Sequence, residues 1–461
     1  MIKLKTYLPL ILVANSLLIL GLVTGCSPAE KKDIITIPMK ERQVSFSHKM
    51  HSLDNNDNFS PDDKFLCYDT RGTVYNQDIA NSKSIEKVEI ATGVETVLYE
   101  PESVTGDQGA PGVGAASWHP HDNKVIFIHG PLLSEIKTRG YYGIRNRSGV
   151  EVSADGKGTI TRVDMRDVAT DRPTTPGAQR GGTHRHEYTR NGNRIGFTYD
   201  DFLVQNIDRT IGYMEPNQAA PQGYTHYFAV LLKPAEKGKS KPGEIEKAAD
   251  DSWVDPAGNM RAFVGKVRAE NGVDYTNDLF VADIPDGTDI TTANSGDKDH
   301  YPEPPKGIKI RRLTHSGNVE GIVRGSFDGK KIAYLSKDNK KILQVFIIDS
   351  KGSDLSEDEK KQPKQLSHFT SNAGSVRWHP KKNWVFAITG GNVAAICAEP
   401  GNNFGKTFML TNDEKPRSDM VVSHDGNTLA YDFYIKKEND DKEYKQIFVL
   451  ELDWDKILNA I

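Results

Sequence analysis

The chain has 461 residues, and its 59 lysines and arginines are nearly balanced by 63 aspartates and glutamates, which gives a formal net charge of −4. This balance excludes the strongly basic surface on which a nucleic-acid-binding protein depends. Three cysteines are too few for a disulfide scaffold. The length is sufficient for one large closed β-domain.

The N-terminus predicts a targeting segment over residues 1–26. Lys3 and Lys5 precede an apolar run over residues 8–23, which leads into Val-Thr-Gly-Cys at 23–26. This ending resembles the lipobox of bacterial lipoproteins, so Cys26 is expected to be acylated and to become the mature N-terminus. Residues 27–41 would then form a polar tether of a cell-envelope lipoprotein, in the outer membrane and facing the periplasm or the surface. A retained membrane helix is the alternative.

One sequence motif recurs seven times after the tether. It consists of a short apolar stretch, a turn of Pro, Asp, Asn or Gly, and a second apolar stretch. The copies begin at Asn58, Ser117, Glu187, Trp253, Gly325, Arg377 and Val422. Each copy predicts two antiparallel strands joined by a tight turn. Seven such units predict an all-β fold, a seven-bladed β-propeller of four-stranded antiparallel blades over residues 42–461. The chemistry of such a fold is expected at a mouth of its central channel.

The outer strands and the ends of the domain are also visible. Residues 85–90 and 95–99 predict a hairpin of the first blade, and the last strand, 446–452, is expected to pair with residues 42–46. That pairing would close the ring and remove two free sheet edges. Cys67 and Cys397 fall in different repeats, and each is expected to be a small buried hydrophobe.

Three polar segments, 130–158, 238–250 and 286–306, interrupt the spacing of the repeats and are expected to be solvated loops. The first of them carries Tyr141, Tyr142, Arg145 and Arg147. It is a candidate wall of a substrate site, and a surface loop with incidental aromatic residues is the alternative.

Histidines are placed unevenly along the chain. His184 and His186 lie two residues apart just before the turn of the third repeat. Residues i and i+2 of a strand share a face, so both imidazoles are expected together, with Arg185 and Glu187 opposite. Such a pair could hold a divalent metal or act as an acid–base couple. Two half-buried, hydrogen-bonded side chains are the alternative.

Other residues lie at corresponding positions near strand ends. His129 closes the second strand of repeat two, and Tyr199 occupies the corresponding end of repeat three, with Arg209 a few residues further on. His119 and His379 stand in Trp-His-Pro turns and are expected to cap those turns.

Three segments carry a resemblance to known families: IFIHGP (126–131), RGGTHRHEYTRNGNRIGFTYDD (180–201) and RRLTHSG (311–317). They closely resemble an uncharacterised bacterial family of propeller proteins, and the outer-strand phrases resemble TolB-type propellers. More distantly, the His-Gly-Pro and His-Glu-aromatic segments resemble oligogalacturonate lyase, and ulvan lyases are propellers as well. Both kinds of lyase cleave glycans that contain uronic acids.

The resemblance to oligogalacturonate lyase is incomplete. That family binds manganese through a Gln-x-x-His-x-His segment and a further histidine. The segment is absent here, Asp251 lies near the position of the lone histidine, and Ala115 replaces another histidine of the channel. The pattern of the ulvan lyases, which use His, Tyr and Arg without such a site, fits better. No cofactor is then required, although manganese, zinc or calcium could be held by the histidine pair.

The resemblance implies a polysaccharide lyase that cleaves a uronic-acid-containing glycan by β-elimination. A cation must neutralise the carboxylate, a base must remove the C5 proton, and an acid must protonate the leaving oxygen. The candidate catalytic residues are His129, His186, Tyr199 and Arg209. The candidate substrate-binding residues are His184, Arg180, Tyr188, Arg145 and His51.

Two other functions stay open. The first is a cell-envelope lipoprotein that binds a glycan or a protein partner without catalysis. The second is a glycosidase with paired carboxylates, for which Asp200, Asp251 and Asp419 are available. The expected partners are an acidic polysaccharide or oligosaccharide and, through the N-terminal lipid, a membrane; no nucleic acid is expected, and the protein is expected to be a monomer.

Overall fold

The computed structural model describes residues 34–53, 57–72, 76–438 and 441–461. Asp33–Ile461 form one compact unit. The predicted targeting segment, including Cys26, lies outside the described residues. No helix within the described residues is long and apolar enough to span a bilayer.

The strands follow one another in seven sheets, which we number as blades 1–7. Two N-terminal strands come first, β1 (Ile34–Thr36) and β2 (Lys40–Gln43). Blade 1 contains β3 (Phe65–Asp69), β4 (Ile85–Glu89) and β5 (Glu95–Tyr99). Blade 2 contains β6 (Val113–Trp118), β7 (Lys124–His129), β8 (Ser148–Ser153) and β9 (Ile160–Arg162). Blade 3 contains β10 (Gly181–Tyr188), β11 (Ile195–Asp201), β12 (Thr210–Pro216) and β13 (His226–Val230).

The remaining blades repeat this arrangement. Blade 4 contains β14 (Ile245–Trp253), β15 (Met260–Arg268), β16 (Tyr275–Asp283) and β17 (Lys309–Arg312). Blade 5 contains β18 (Val319–Gly325), β19 (Lys331–Lys337), β20 (Leu343–Asp349) and β21 (Lys364–Gln365). Blade 6 contains β22 (Ala373–Trp378), β23 (Trp384–Thr389), β24 (Asn392–Cys397) and β25 (Thr407–Met409). Blade 7 contains β26 (Ser418–Val422), β27 (Thr428–Lys436) and β28 (Glu443–Glu451).

Helix is scarce, as the repeats predict. Two short α-helices occur in the described part of the chain, α1 (Ile136–Arg139) and α2 (Trp454–Asn459). Short 3-10 helices lie at Asn76–Asn81, Leu133–Glu135, Ile290–Thr292 and Glu359–Lys361.

Each blade is an antiparallel meander, and the predicted seven-bladed propeller is confirmed. Blade 1 has three full strands, and its first-strand position is filled by isolated bridges from Ser52 to Asp69 and from Phe59 to Leu66. β1 adds a fifth strand to blade 6, parallel to β25. β2 completes blade 7 by pairing antiparallel to β28, which is the predicted closure of the ring. Residues from Ile34 therefore take part in the sheets of the propeller, before the predicted boundary at 42.

Apolar side chains on the sheet faces pack between neighbouring blades. Phe386 of blade 6, Tyr431 and Phe448 of blade 7 and Trp454 of α2 belong to one such cluster. Alternation along the strands brings these side chains to the faces, because successive residues of a strand point to opposite sides. Cys67 and Cys397 are buried and carry free thiols, as expected.

Two of the predicted loop segments contain strands. Residues 130–158 include α1 and the whole of β8, and residues 238–250 include the first part of β14. The sequence IEKAADDSW of β14 is charged because part of this strand borders a solvated channel rather than a core, so polarity gave the wrong prediction there. The third segment, 286–306, does connect β16 to β17, with Ile290–Thr292 as its single helical turn.

Most first strands contact the first strand of a neighbouring blade: β6 contacts β10, β14 contacts β18, β18 contacts β22 and β22 contacts β26. These strands border the central channel. We call the end of the channel where these strands begin the upper mouth, and the end with the hairpin turns that follow them the lower mouth. The register of each first strand from β6 to β26 shifts at a bulge. A residue with positive φ marks each bulge: Ala115, Arg185, Asp250, Gly321, Ser375 and Asp419. We call this set the bulge ring.

Candidate functional site

The bulge in β10 separates the two histidines that the sequence places together. His184 pairs with Thr198 and Glu187 pairs with Gly196, so Arg185 and His186 together oppose one residue. His186 is fully buried, with Nε2 3.0 Å from the hydroxyl of Thr183. Thr183 and its neighbour His184 lie on opposite faces, so the two histidines do not share a face. The expectation was wrong because it assumed an uninterrupted strand.

His184 is partly exposed and lies among cations in the upper half of the channel. Burial and then the guanidinium groups of Arg147, Arg209, Arg185 and Arg71 hold the pKa of His184 well below its ordinary value. The imidazole is therefore neutral at ordinary pH. We call His184 and these four arginines the upper arginine cluster.

Neighbouring blades supply the members of this cluster. Arg147 immediately precedes β8 of blade 2, and Arg209 immediately precedes β12 of blade 3. Both positions lie at the upper end of their blades, because second and third strands meet there. Arg185 reaches the channel from the bulge ring, where its φ is 60°. A non-glycine residue in this left-handed region is strained and is typical of functional sites.

Carboxylates neutralise only part of this charge. Arg209 donates from Nε to Asp200 at 2.9 Å, and Arg71 lies 2.8 Å from Asp69. Arg147 donates to the hydroxyl of Tyr142 at 3.0 Å, but its Nη2 is 3.9 Å from Asp200, too far for a hydrogen bond. The partly solvated Asp250 is the third nearby acid, and burial raises its pKa while Arg185 opposes the rise.

Arg147 and Arg185 retain unused donors. Within the described residues, Nε and Nη2 of both side chains have no hydrogen-bond acceptor although they are buried. A buried, charged N–H without an acceptor is costly, so such groups indicate a site that an anion or water completes. Arg209, with 17% of its side chain exposed, and His184 form the accessible part of the cluster.

Two other predicted residues form a buried structural cluster instead. The hydroxyl of Tyr199 donates to Asp201 at 2.8 Å and accepts from the backbone of Arg180 at 3.1 Å. The Arg180 guanidinium donates to Asp201 and to the carbonyls of Asp297 and His300. Arg180 therefore fixes the 286–306 segment to blade 3, and it is already satisfied by these acceptors.

His129 lies between blades 1 and 2. Its Nε2 is 3.0 Å from the hydroxyl of Tyr99, its Nδ1 is 2.5 Å from the carbonyl of Gly130, and it is 4% exposed. Burial lowers the pKa of His129 to about 4. None of these contacts involves the upper arginine cluster.

The last three predicted residues are dispersed. Tyr188 lies at the lower end of β10 and donates to Glu151 at 2.6 Å. His51 is fully buried and pairs with Glu95 at 3.1 Å. Arg145 donates to the carbonyl of Asp201 at 2.8 Å. Of the nine predicted residues, the structure brings His184 and Arg209 into one cluster.

The arrangement of acids bears on the metal and glycosidase predictions. No group of three His, Cys, Asp or Glu side chains in the described part of the chain could hold a metal ion. Asp200, Asp251 and Asp419 pair with different cations, respectively Arg209, Arg261 and Lys445. These residues therefore do not fit the metal site considered for the histidine pair.

Two residues of the cluster, Arg147 and Arg185, are not among the site residues predicted from the sequence. Arg147 lies in the segment whose aromatic residues make it a candidate substrate wall, but it is not among the nine predicted site residues. Arg185 was expected to point away from His184, because an adjacent residue of a regular strand lies on the other face. Nothing in the sequence marks the bulge, since the left-handed position is occupied by arginine rather than glycine.

Comparisons with known proteins match a family model to the segment that carries most of this cluster. Residues 112–226 match the model of a family described as "Protein of unknown function (DUF3748)". The chain is 29% identical over 421 residues to the "Uncharacterized protein YidR" of Escherichia coli (strain K12), across 85% of this chain and 94% of that protein. The chain is similar to YidR over most of its length. The expected resemblance to an uncharacterised propeller family is thus confirmed, and the matched segment contains His184, Arg147, Arg185 and Arg209.

Two solved structures are among those to which the chain is similar. The β-propeller domain of the Trilobed protease from Pyrococcus furiosus has a TM-score of 0.48 and 9% identity, over 89% of this chain and 95% of that one. A putative TolB from Agrobacterium tumefaciens has a TM-score of 0.38 and 11% identity, over 78% and 94% of the two chains.

Proposed function

We propose that the propeller binds a carboxylate-bearing ligand, an acidic oligosaccharide, at the upper arginine cluster. The observation that carries this proposal is the excess of cations around the partly exposed His184, with unused donors on Arg147 and Arg185. A carboxylate placed against His184 and Arg209 would lie in the field of all four arginines. Guanidinium groups suit carboxylates because their paired N–H donors match two oxygens.

The choice of an acidic sugar rests on the resemblance to propeller lyases. A uronic acid presents one carboxylate with neighbouring hydroxyls, and the cluster has a half-buried neutral polar group, Tyr142, beside its cations. The phenol of Tyr142 stands 3.0 Å from Arg147, so a sugar hydroxyl and a carboxylate could be bound side by side.

Calorimetric titration with trigalacturonate tests the binding proposal. Arg209→Gln removes an accessible cation and should weaken binding about tenfold or more, because a charged hydrogen bond is lost. Arg172→Gln, whose side chain is 50% exposed and pairs with Asp167, is the matched control and should bind as the parent does. Equal binding by the parent and Arg209→Gln, or equal binding of a neutral trisaccharide, would contradict the proposal.

Lyase activity at this same cluster is a second candidate, favoured by the neutral state of His184. β-Elimination needs an unprotonated base close to cations that neutralise the carboxylate, and His184 meets both conditions. Uronate polysaccharides should then yield products absorbing near 235 nm. His184→Ala should lower that rate on the order of 10²–10⁴-fold while trigalacturonate still binds. Tight binding without any rise in absorbance would contradict lyase activity and support binding only.

The location of the protein is proposed from its N-terminal sequence. Acylation at Cys26 would hold the propeller at a membrane of the cell envelope, where acidic glycans are accessible. Cys26→Ala should release the protein into the soluble fraction. Membrane fractionation that shows the variant still bound, as the parent is, would overturn this part of the proposal.

A further inference from the structure

Asp250 is an acid of the channel wall beside the upper arginine cluster. β14 is the innermost strand of blade 4, and its register shifts between Ala249 and Ser252, so Asp250 lies on the bulge, with a φ of 55°. Its side chain is exposed. Because the innermost strands of a propeller border the channel, solvent and ligands reach this side chain from the channel.

Two contacts place Asp250 next to the cluster. Arg185 donates from Nη1 to the carbonyl of Asp251 at 3.1 Å, and the backbone N–H of Ala248 donates to the carbonyl of Arg209 at 2.9 Å. Burial raises the pKa of Asp250, whereas the charges of Arg185 and Arg209 oppose that rise. The carboxylate of Asp250 therefore lies in the field of two arginines of the cluster.

The Asp250 carboxylate is nevertheless not paired with either arginine. In the part of the chain that the structure describes, it forms no hydrogen bond and no ion pair. Asp69 and Asp200, the other acids near the cluster, each form an ion pair with an arginine. An ionised carboxylate only accepts hydrogen bonds. Both oxygens of Asp250 are therefore available to donors on a ligand.

We propose that Asp250 determines the specificity of this site, by accepting hydrogen bonds from hydroxyl groups that neighbour the carboxylate of an acidic sugar. The inference rests on the proposed function, because it assigns Asp250 a partner on the same ligand. Asp250 repels a carboxylate that the arginines hold, so a ligand binds best when it also brings donors to Asp250. A uronic acid carries such hydroxyl donors on its ring, whereas a plain carboxylate has none.

The same arrangement selects against ligands that lack hydroxyls. A site that hydrogen-bonds a hydroxyl rejects an analogue without it, because the acceptor then loses its partner. The expected ligands are therefore hydroxylated ring carboxylates such as uronic acids, rather than carboxylates in general.

Asp250→Gly and Asp250→Asn separate the contributions of the side chain. Glycine adopts the left-handed conformation without strain, and Gly321 occupies the equivalent position in blade 5, so Asp250→Gly is expected to fold. Asparagine keeps one acceptor oxygen and also tolerates this conformation. Ser375→Gly makes the matched change in blade 6, which contributes no residue to the upper arginine cluster.

Calorimetric titration compares trigalacturonate with tetrahydropyran-2-carboxylate, which has the ring and the carboxylate of a uronic acid but no hydroxyl. Asp250→Gly should bind trigalacturonate about tenfold more weakly than the parent does, because a hydrogen bond to a charged group is lost. It should bind tetrahydropyran-2-carboxylate no more weakly than the parent does, because the repulsion is removed. Asp250→Asn should recover most of the affinity for trigalacturonate, and Ser375→Gly should bind both ligands as the parent does.

Failure of this inference is distinguishable from failure of the proposed function. A parent that does not bind trigalacturonate overturns the proposed function, and the inference with it. If the parent binds trigalacturonate and Asp250→Gly binds it equally or more tightly, only the inference is overturned. Weaker binding of both ligands by Asp250→Gly would show a structural role and would also overturn the inference.

Pipecolate tests whether Asp250 recognises an ammonium group instead of hydroxyls. This compound has an ammonium nitrogen in place of the ring oxygen of tetrahydropyran-2-carboxylate, and it should bind the parent more weakly than trigalacturonate does. Tighter binding of pipecolate than of trigalacturonate would show a site for a zwitterion and would overturn the choice of a hydroxylated ligand.

Discussion

His184 shows how neighbouring charges set the chemistry of one residue. An isolated imidazole titrates near pH 6.5. Here burial and four arginines favour the neutral form. The residue can therefore accept a proton or a hydrogen bond at neutral pH, but a neutral imidazole does not attract an anion by charge. The four arginines attract the anionic ligand.

His129 illustrates a histidine whose role is structural, and it gives a pH prediction. Its pKa is about 4 in the folded state, below the value of about 6.5 expected on unfolding. As the pH falls from about 6.5 to about 4, the unfolded chain takes up a proton that folded His129 does not. The free energy of unfolding should therefore decrease by up to about 3 kcal/mol through this residue.

His129→Gln removes that titration while keeping polar atoms at the position. Urea unfolding of the parent and the variant between pH 7 and pH 4.5 should give a stability difference that shifts in favour of the variant on acidification. His121→Gln, at an exposed position, should follow the parent. Parallel curves for the parent and His129→Gln would show that His129 does not contribute to acid sensitivity.

At the scale of the element, the bulge ring explains both a success and a failure of sequence reasoning. The turn phrases contain Pro, Asp, Asn and Gly, which have distinct backbone preferences, so the hairpins were predictable. The bulges leave no such signature, because alanine, arginine, serine and aspartate occupy most of the left-handed positions. Side-chain direction after residue 184 was therefore not predictable, although the strand itself was.

Substitution of Gly321 tests how much a left-handed position of the bulge ring contributes to the free energy of unfolding. Its φ is 71°, and a Cβ there would lie 3.4 Å from the side chain of Leu335, so space is available and backbone strain dominates. Gly321→Ala should lower the free energy of unfolding by about 1–2 kcal/mol, the cost of a left-handed L-residue. Gly374→Ala in β22, where φ is not positive and nothing lies within 4 Å, is the matched control.

Chemical denaturation should separate the two glycine variants. Gly374→Ala is expected to unfold at the parent's midpoint or slightly above it, because alanine restricts the unfolded chain. Coincident midpoints for both variants would mean that the left-handed position carries no strain.

At the scale of the whole molecule, the ring is held closed by residues far apart in sequence. Glu41 of β2 accepts from Arg417 at 2.7 Å, from Tyr431 at 2.6 Å and from Lys415 at 2.7 Å. The Arg417 side chain is 1% exposed, so it depends on Glu41 and on Asp413 for compensation. The charge cluster therefore joins the N-terminal strand to blades 6 and 7.

Glu41→Gln should lower the free energy of unfolding by about 2–3 kcal/mol, because a buried cation loses one of its two carboxylates. The neighbouring Lys40 pairs with Glu451 on the surface and is 72% exposed, so Lys40→Gln should have no measurable effect. Denaturant midpoints that are the same for both variants would show that Glu41 does not help to close the ring.

The architecture was predictable as a whole because seven copies of one two-strand motif are compatible with few folds. The candidate site was predictable only in part, because Arg147, Arg185 and Arg209 converge on His184 through three separate backbone features: a loop before β8, a bulge in β10 and a loop before β12. Residues such as Tyr199 and Arg180 have the same chemistry in sequence. They are buried by contacts that the sequence does not show: both bind Asp201, and Arg180 also donates to the carbonyls of Asp297 and His300 in the 286–306 segment.

The central claim is that an anionic ligand binds beside His184, and the titration of its imidazole tests this most directly. In histidine-labelled protein, with the signal assigned by His184→Gln, nuclear magnetic resonance should show His184 titrating well below pH 6.5. Saturating trigalacturonate should raise that pKa by about one unit or more, because a nearby carboxylate favours the imidazolium, and a neutral trisaccharide should not. An unchanged titration of His184 in protein that has bound trigalacturonate would place the ligand elsewhere and contradict the account.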